Sequence, residues 1–317
     1  MTKKDLKIVF FGTPDFAVES LRRLVDEGYN VAAVVTAPDK PAGRGRSMQM
    51  SAVKQYALAA GLPVMQPEKL KDAAFVDALR AIGAQLFIVI AFRMLPEVVW
   101  TMPSAGTFNL HGSLLPRYRG AAPINRAVIN GDTRTGVTTF FLKHEIDTGD
   151  IIDSRAIEIG PDENAGSVYD RLMKIGADLT LDTVRHIIAG DLVTRRQEEC
   201  DVQPTPAPKI FKDDCRIDWS RPSADVHNLV RGLSPYPTAW TVLSDGETEH
   251  GTLKIFETRR TAVKAEKAGR VTVDGSRMLV DCADFALEIV SLQAPGKRRM
   301  PTADFLRGCR FTDMTLR

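Results

Sequence analysis

Three polar residues with the side chains needed for acyl transfer fall within one stretch of the sequence. Asn109 and His111 stand at the end of a short apolar run, and Asp147 lies in a polar loop after a later apolar run. Side chains alternate along a strand, so Asn109 and His111 are predicted to point the same way. An amide and an imidazole can stabilise charge on a carbonyl oxygen, and a carboxylate can orient the imidazole or accept a proton. The stretch therefore predicts an acyl-transfer site, provided that the fold brings the loop beside the strand.

Ser113 suggests an alternative chemistry. Together with His111 and Asp147 it supplies the residue types of a hydrolase triad. However, no Gly-x-Ser-x-Gly turn surrounds Ser113, and residues two apart on one strand seldom form a nucleophile and its base. The sequence therefore favours transfer of an acyl group over hydrolysis through a serine nucleophile.

The same stretch resembles the folate-dependent formyltransferase family. The resemblance lies in Asn-x-His-x-Ser-Leu-Leu-Pro at 109–116 and Asp-x-Gly-Asp at 147–150. The longer motifs FGTPDF, PDKPAGRGR, SLLPRYRGAAPIN and SLQAPGKRRM are similar to those of the branch that acts on methionyl-tRNA. The resemblance implies that 10-formyltetrahydrofolate is the formyl donor and initiator methionyl-tRNA the acceptor. It also implies that Asn109, His111 and Asp147 are catalytic.

Two groups of substrate-binding residues follow from the resemblance. The expected folate contacts are Phe92, Leu95, Ser113, Leu114, Leu115, Pro116 and Asp150. The expected tRNA contacts are Lys40, Arg44, Arg46, Lys297, Arg298 and Arg299. Adjacent cations suit phosphate contacts that do not read the base sequence. Arg93 departs from the family pattern, which commonly has a slightly longer loop with a glycine here, so the backbone beside the pterin is expected to differ.

The order of the predicted elements indicates an α/β fold. A strand at Leu6–Phe11, a tight turn and a helix at Phe16–Asp26 open a Rossmann-like, doubly wound, mostly parallel sheet. The turn holds one glycine rather than the three of a dinucleotide fingerprint, so NAD is not expected. The prolines, glycines and cations of Ala37–Ser47 predict an exposed loop, and Glu68–Ile82 is predicted to be a helix.

A proline-rich segment predicts the division of the chain into domains. Three alternating prolines at 203–208 favour an extended linker. We therefore predict a catalytic domain at 1–202 and a tRNA-binding domain at 209–317. Five short β-rich segments in the second domain suit a small β-barrel of the oligonucleotide-binding (OB) class.

Composition limits the class of protein further. The 317 residues are 44% hydrophobic, and no apolar run approaches the roughly 18 residues of a membrane span. The four cysteines and five histidines show no metal-ligand spacing, so no metal and no disulfide framework are expected. We expect a cytoplasmic monomer that does not bind membranes. The net charge of +2 is too small to indicate a nucleic-acid partner without the motifs.

Three rival functions remain open from the sequence. The same chemistry could act on another amine, either a glycinamide ribonucleotide or an amino-sugar nucleotide. A folate- or RNA-binding module without activity would need a broken catalytic set, which is not the case here. A hydrolase that releases formate from the same folate would need no acceptor, and the motifs similar to those of the methionyl-tRNA branch argue against it.

Overall fold

A computed structural model of the protein describes residues 2–42, 47–245, 248–308 and 314–317. The helices are α1 Asp15–Asp26, α2 Ala52–Ala59, α3 Ala73–Ile82, α4 Glu97–Trp100, α5 Pro123–Ile129, α6 Ala165–Ala189, α7 Ser223–Leu233 and α8 Thr302–Arg307. Strands β1 to β9 are Lys7–Gly12, Asn30–Val35, Lys40–Ala42, Ser47–Gln49, Val64–Met65, Leu86–Ile90, Thr107–His111, Arg119–Gly120 and Arg134–Phe141. Strands β10 to β18 are Ile151–Glu158, Pro206–Ala207, Ala239–Ser244, Glu249–Lys264, Val271–Asp274, Arg277–Asp281, Phe285–Gln293, Met300–Pro301 and Thr315–Leu316.

The first large sheet has the strand order β10-β9-β7-β6-β1-β2-β5. Strands β5, β2, β1, β6 and β7 pair in parallel, whereas β9 runs antiparallel to β7. β6 is buried along its whole length, as its unbroken apolar sequence requires. The chain passes from β1 to β2 on one side and later to β6 on the other, so the order reverses at β1. Open α/β sheets bind ligands at the carboxyl ends of strands beside such a reversal.

The chain divides into two compact units. The first unit comprises residues 1–120, 136–157 and 169–206, and the second comprises residues 121–135, 158–168 and 207–317. The division near residue 206 falls within the proline-rich segment, but two earlier segments, including α5, group with the second unit. The predicted domain limits of 1–202, 203–208 and 209–317 stay a prediction.

An antiparallel barrel forms the core of the second unit. Its strand order is β14-β15-β16-β13-β12-β18, with β17 paired to β16. An antiparallel bridge between Arg270 and Thr315 joins the two ends of this order, so the barrel is nearly closed. Helix α7 packs its apolar face, Val226, Val230 and Leu233, into the same core as strand residues of the barrel. The predicted α/β sheet followed by a small β-barrel is confirmed.

Two predicted segments differ from the structure. Residues 37–47 are not a loop throughout, because β3 and β4 pair as an antiparallel hairpin in which Lys40 faces Gln49. The helix expected from Glu68 begins only at Ala73. The reason is Asp72, whose side chain accepts hydrogen bonds from the N–H groups of Ala74 and Phe75 and so fixes the helix start.

No helix in the described ranges combines the length and the apolar character needed to cross a membrane.

A buried histidine in the second unit connects three of its segments. The Nδ1 of His227 lies 2.9 Å from the Thr258 hydroxyl, and its Nε2 lies 3.4 Å from the Pro161 carbonyl and 3.2 Å from Asp162. Burial lowers the pKa of His227, and the neighbouring carbonyl and carboxylate only partly oppose this effect. The folded protein therefore favours the neutral imidazole.

We predict that this histidine makes the protein less stable in mild acid. The unfolded chain takes up a proton near the ordinary histidine pKa of about 6.5, whereas folded His227 does so only at lower pH. The free energy of unfolding should therefore fall as the pH drops below about 6.5, until the folded pKa is reached. Denaturant titrations between pH 5 and 8 should show a weaker pH dependence for His227→Gln. Equal pH dependence in the two proteins would contradict the prediction.

Candidate active site

Strand β7 carries the first two candidate catalytic residues between two neighbouring strands. Asn109 is paired with Val89 of β6 on one side and with Phe140 of β9 on the other. The next residue, Leu110, lies against α6, where a methyl group on Gly176 would come within 2.8 Å of the leucine side chain. Alternation along the strand then turns Asn109 and His111 to the opposite face. The predicted orientation of these two side chains therefore follows from the strand register.

His111 is held on one side by a backbone carbonyl and faces a carboxylate on the other. Its Nε2 lies 2.8 Å from the carbonyl oxygen of Tyr118. A carbonyl can only accept, so Nε2 must carry a proton. The Nδ1 of the same ring lies 3.7 Å from Oδ2 of Asp147, and Phe140 packs edge-on at a centroid distance of 6.4 Å. Only 6% of the His111 side chain and 12% of the Asp147 side chain are exposed, so little water screens the pair.

The Asp147 carboxylate is fixed by a backbone donor. The N–H of Gly120 donates to its Oδ2 over 2.8 Å. No hydrogen bond joins its other oxygen, Oδ1, to the residues that the structure describes. Gly149 allows the loop to close onto β9, because a methyl group there would lie 1.6 Å from the Phe141 carbonyl oxygen. The loop thus brings one carboxylate oxygen toward His111 and leaves the second available to a substrate.

Ser113 is structural in this arrangement. Its hydroxyl donates to the Arg117 carbonyl over 2.6 Å and is fully buried. The Thr138 hydroxyl donates to the Ser113 carbonyl and accepts from the N–H of Leu115. These bonds shape the turn that returns the Tyr118 carbonyl to His111. Because its hydroxyl is bound to a carbonyl, Ser113 does not form a nucleophile–base pair with His111.

The other expected folate residues lie at or near the carboxyl edge of the sheet. Phe92 follows β6 and packs edge-on against Phe11 at 5.7 Å, while Leu95 is buried in the same cluster. The Arg93 guanidinium lies over the Phe92 ring, 5.6 Å from its centroid, and donates to the backbone carbonyls of Pro67 and Glu68. Arg93, the residue that differs from the family pattern, thus connects the loop after β6 to the segment before α3 through these hydrogen bonds.

The remaining folate candidates belong to the turn after β7 and to the loop after β9. Leu115 and Pro116 are buried, and Leu114 lies close to Gly136 of β9. Asp150 forms a salt bridge with Lys143, in which Oδ1 lies 2.7 Å from Nζ. This salt bridge closes the base of the loop that contains Asp147.

The expected tRNA residues are exposed where the structure describes them. Lys40 is exposed on the β3–β4 hairpin of the first unit, and Lys297 and Arg298 are exposed in the second unit. Arg299 differs from these, because it donates to the Ser291 hydroxyl over 2.8 Å and stacks on Phe256 at 4.7 Å. The candidates Arg44 and Arg46 lie outside the described residues.

Three groups in the site were missed by sequence reasoning. They are the carbonyl of Tyr118, the hydroxyl of Thr138 and the side chain of Gln197, which contacts the Asp147 loop. Neither Thr138 nor Gln197 stands in a recognisable motif. Every residue has a backbone carbonyl, so the residue type does not show that the Tyr118 carbonyl belongs to the site. Within the described residues, no group of three or more histidine, cysteine, aspartate or glutamate side chains could hold a metal ion.

Comparison with known proteins identifies the family. The model of the formyl transferase family matches residues 6–184, and that of the formyl transferase C-terminal domain matches residues 209–310. A methionyl-tRNA formyltransferase of Bacteroides thetaiotaomicron is 55% identical over 99% of this chain and 98% of its own length. One of Parabacteroides distasonis is 56% identical over 97% of both chains.

The chain belongs to the methionyl-tRNA formyltransferase family. It is thus a formyl-transferring enzyme, as the sequence motifs predict.

Two solved structures share the fold of this family member. The sugar 3N-formyltransferase WlaRD is 19% identical, with a TM-score of 0.64 over 92% of this chain and 99% of its own. Aquifex aeolicus HypX, solved with tetrahydrofolic acid, is 16% identical, with a TM-score of 0.64 over 94% of this chain and 46% of its own. At these identities the similarity concerns the fold alone.

We predict that replacing the Ser113 hydroxyl lowers formyl transfer far less than replacing the His111 ring. The hydroxyl holds a turn but does not face the imidazole, so Ser113→Ala should lower kcat by less than about tenfold. His111→Asn, in contrast, removes the imidazole that faces Asp147 and should lower kcat by about 10²–10³-fold. Steady-state kinetics that compare kcat of both variants with that of the wild type test this prediction. A loss for Ser113→Ala as deep as that for His111→Asn would restore the serine-triad alternative.

Proposed function

We propose that the enzyme transfers the formyl group of 10-formyltetrahydrofolate to the α-amine of methionine esterified to initiator tRNA. Asn109, His111 and Asp147 are the proposed catalytic residues. The product is formylmethionyl-tRNA, which serves the start of translation, and we expect the enzyme to work in the cytoplasm. The observation that supports the proposal most directly is the buried contact between the His111 ring and the Asp147 carboxylate, on the strand face that Asn109 shares.

The reaction places three chemical demands on the site. The methionine amine attacks the formyl carbon, and negative charge develops on the formyl oxygen. The amine nitrogen must lose a proton, and the folate nitrogen must take one up, from the group that accepted it or from water, as its bond to the formyl carbon breaks. Asn109 has an amide N–H that can donate to the oxygen as charge develops. A fixed donor in a site with little water stabilises such charge far more than a donor in bulk water would.

His111 is suited to act as the second donor to the oxygen. Its Nε2 proton is bound to the Tyr118 carbonyl, so the ring can present only Nδ1 to a substrate. The separation of 3.7 Å between Nδ1 and Asp147 Oδ2 is longer than a hydrogen bond. A protonated Nδ1 is therefore not bound to the carboxylate and can donate to the formyl oxygen.

Asp147 is the proposed acceptor of the amine proton, directly or through water. The Gly120 N–H binds Oδ2, and Oδ1 has no hydrogen bond to the described residues. A carboxylate with one fixed and one available oxygen keeps its orientation while it accepts a proton. This assignment leaves the His111 ring to interact with the formyl oxygen and neutralises the amine as the tetrahedral intermediate forms.

The proposed substrate contacts follow the two groups of residues already described. The folate lies along the carboxyl edge of the sheet, near Phe92, Leu95 and residues 113–116, and Asp150 holds the adjoining loop by its bond to Lys143. The tRNA backbone is contacted by Lys40, Arg44 and Arg46 in the first unit and by residues 297–299 in the second. We propose that the enzyme uses no metal, works as a monomer and binds no membrane.

We predict that Asp147→Asn cuts turnover without unfolding the protein. The amide keeps the size of the carboxylate but accepts a proton poorly, so kcat should fall by about 10²–10⁴-fold. The assay follows labelled formyl from 10-formyltetrahydrofolate to charged initiator tRNA. Asp153→Asn is a matched control, because Asp153 lies exposed on β10 and should keep wild-type turnover. Wild-type kcat for Asp147→Asn would refute the catalytic assignment.

The same assay distinguishes the acceptor when it is run with an amino-sugar nucleotide, a glycinamide ribonucleotide or no acceptor. We expect label on methionyl-tRNA alone. Label on either small amine would show that this amine, and not methionyl-tRNA, is the acceptor. Labelled formate without any acceptor would indicate a hydrolase.

A further inference from the structure

The loop that carries Asp147 has a backbone conformation that residues other than glycine rarely adopt. Asp147 has a φ of +55°, which lies in the left-handed region. This conformation brings the Cβ of an L-residue close to the following carbonyl oxygen and costs free energy. A residue keeps such a conformation only where its surroundings fix it. Contacts from elsewhere in the protein would stabilise the backbone of Asp147 in this conformation.

One side-chain amide supplies these contacts. The Nε2 of Gln197 donates to the carbonyl of Asp147 over 2.9 Å and to the carbonyl of Gly149 over 2.8 Å. Both N–H groups of the amide are thus used on the Asp147 loop. Gln197 is 98% buried, with an exposed fraction of only 2%. The Gly149 carbonyl is buried as well, so water does not readily replace a lost donor there, and the two bonds matter for the shape of the loop.

The oxygen of the same amide contacts a residue of β8. Gln197 Oε1 accepts from Nε of Arg119 over 3.0 Å and from its Nη2 over 2.7 Å. Arg119 immediately precedes Gly120, whose N–H binds the Asp147 carboxylate. Gln197 therefore contacts both the backbone of Asp147 and the residue next to the donor that orients its side chain.

The segment that carries Gln197 is itself fixed to the first sheet. Arg195 and Ile151 form an antiparallel bridge with two backbone hydrogen bonds of 2.8 Å. Ile151 begins β10, directly after the loop that contains Asp147. The amide is therefore attached to the same edge of the sheet as the loop it binds.

We propose that Gln197 is a positioning residue that sets the orientation of Asp147 for catalysis. The proposal rests on the proposed function, in which Asp147 accepts a proton. An amide is needed because the position requires two donors toward carbonyls and an acceptor toward a cation. Glutamate retains the acceptor and places negative charge against two carbonyl oxygens. Methionine has a similar length and supplies neither donor.

The test compares Gln197→Met and Gln197→Glu with the wild type in the formyl-transfer assay. Both variants should lower kcat by about 10- to 100-fold, while KM for the folate and for the tRNA changes by less than about threefold. Gln203→Met is the matched control, since Gln203 is exposed in the same part of the chain and should keep wild-type kcat. If Gln197→Met does not fold, judged by its thermal unfolding, Gln197→Glu decides, because it preserves the Arg119 contact.

A double-mutant cycle separates positioning from a purely structural role. In an Asp147→Asn background, Gln197→Met should reduce kcat by less than about twofold further, because there is no longer a carboxylate to orient. Equal losses in both backgrounds, wild-type kcat in a folded Gln197 variant, or a loss confined to KM would each overturn the proposal. If Asp147→Asn alone keeps wild-type kcat, the proposed catalytic role of Asp147 fails. If Asp147→Asn is slow and the Gln197 variants are not, only the positioning role fails.

Discussion

The arrangement of the site depends on one buried hydrogen bond, from Nε2 of His111 to the carbonyl of Tyr118. This bond decides which nitrogen of the ring faces the substrate. It exists because the turn after β7 folds back on itself, held by the Ser113 and Thr138 hydroxyls. With Nε2 occupied, Nδ1 faces the Asp147 carboxylate across a gap too long for a direct hydrogen bond. The ring is therefore placed to present Nδ1 to a third group, as the proposed mechanism requires.

The second requirement is a carboxylate whose direction is fixed from a distant part of the chain. Asp147 lies in a loop with an unfavourable backbone conformation, and the contacts that hold it come from Gly120 and Gln197. The Gln197 side chain is buried, and its oxygen and both of its N–H groups have partners. In water, competing hydrogen bonds would make such contacts weak, whereas in a buried site the loss of one donor leaves a carbonyl unsatisfied. The same burial strengthens the charge interactions on which the chemistry depends.

Sequence reasoning could reach the parts of this site that follow from local rules. Alternation along a strand predicts the shared face of Asn109 and His111, and an unbroken apolar run predicts the buried strand β6. The predicted start of α3 at Glu68 is wrong, because the helical pattern extends before Asp72 but the helix begins only after this N-cap residue. The contacts of Gln197 could not be predicted from the sequence, because they join it to residues far away along the chain. The grouping of residues 121–135 with the second unit is likewise a product of packing, which no linker pattern records.

The most direct test of the central claim is the tautomer of His111, measured by nitrogen-15 NMR on protein labelled at histidine. The His111→Asn variant assigns the signal by its absence. The spectrum of the neutral ring should show the proton on Nε2, because the Tyr118 carbonyl requires a donor there. A proton on Nδ1, or an average of the two forms, would contradict the claim that this bond orients the ring.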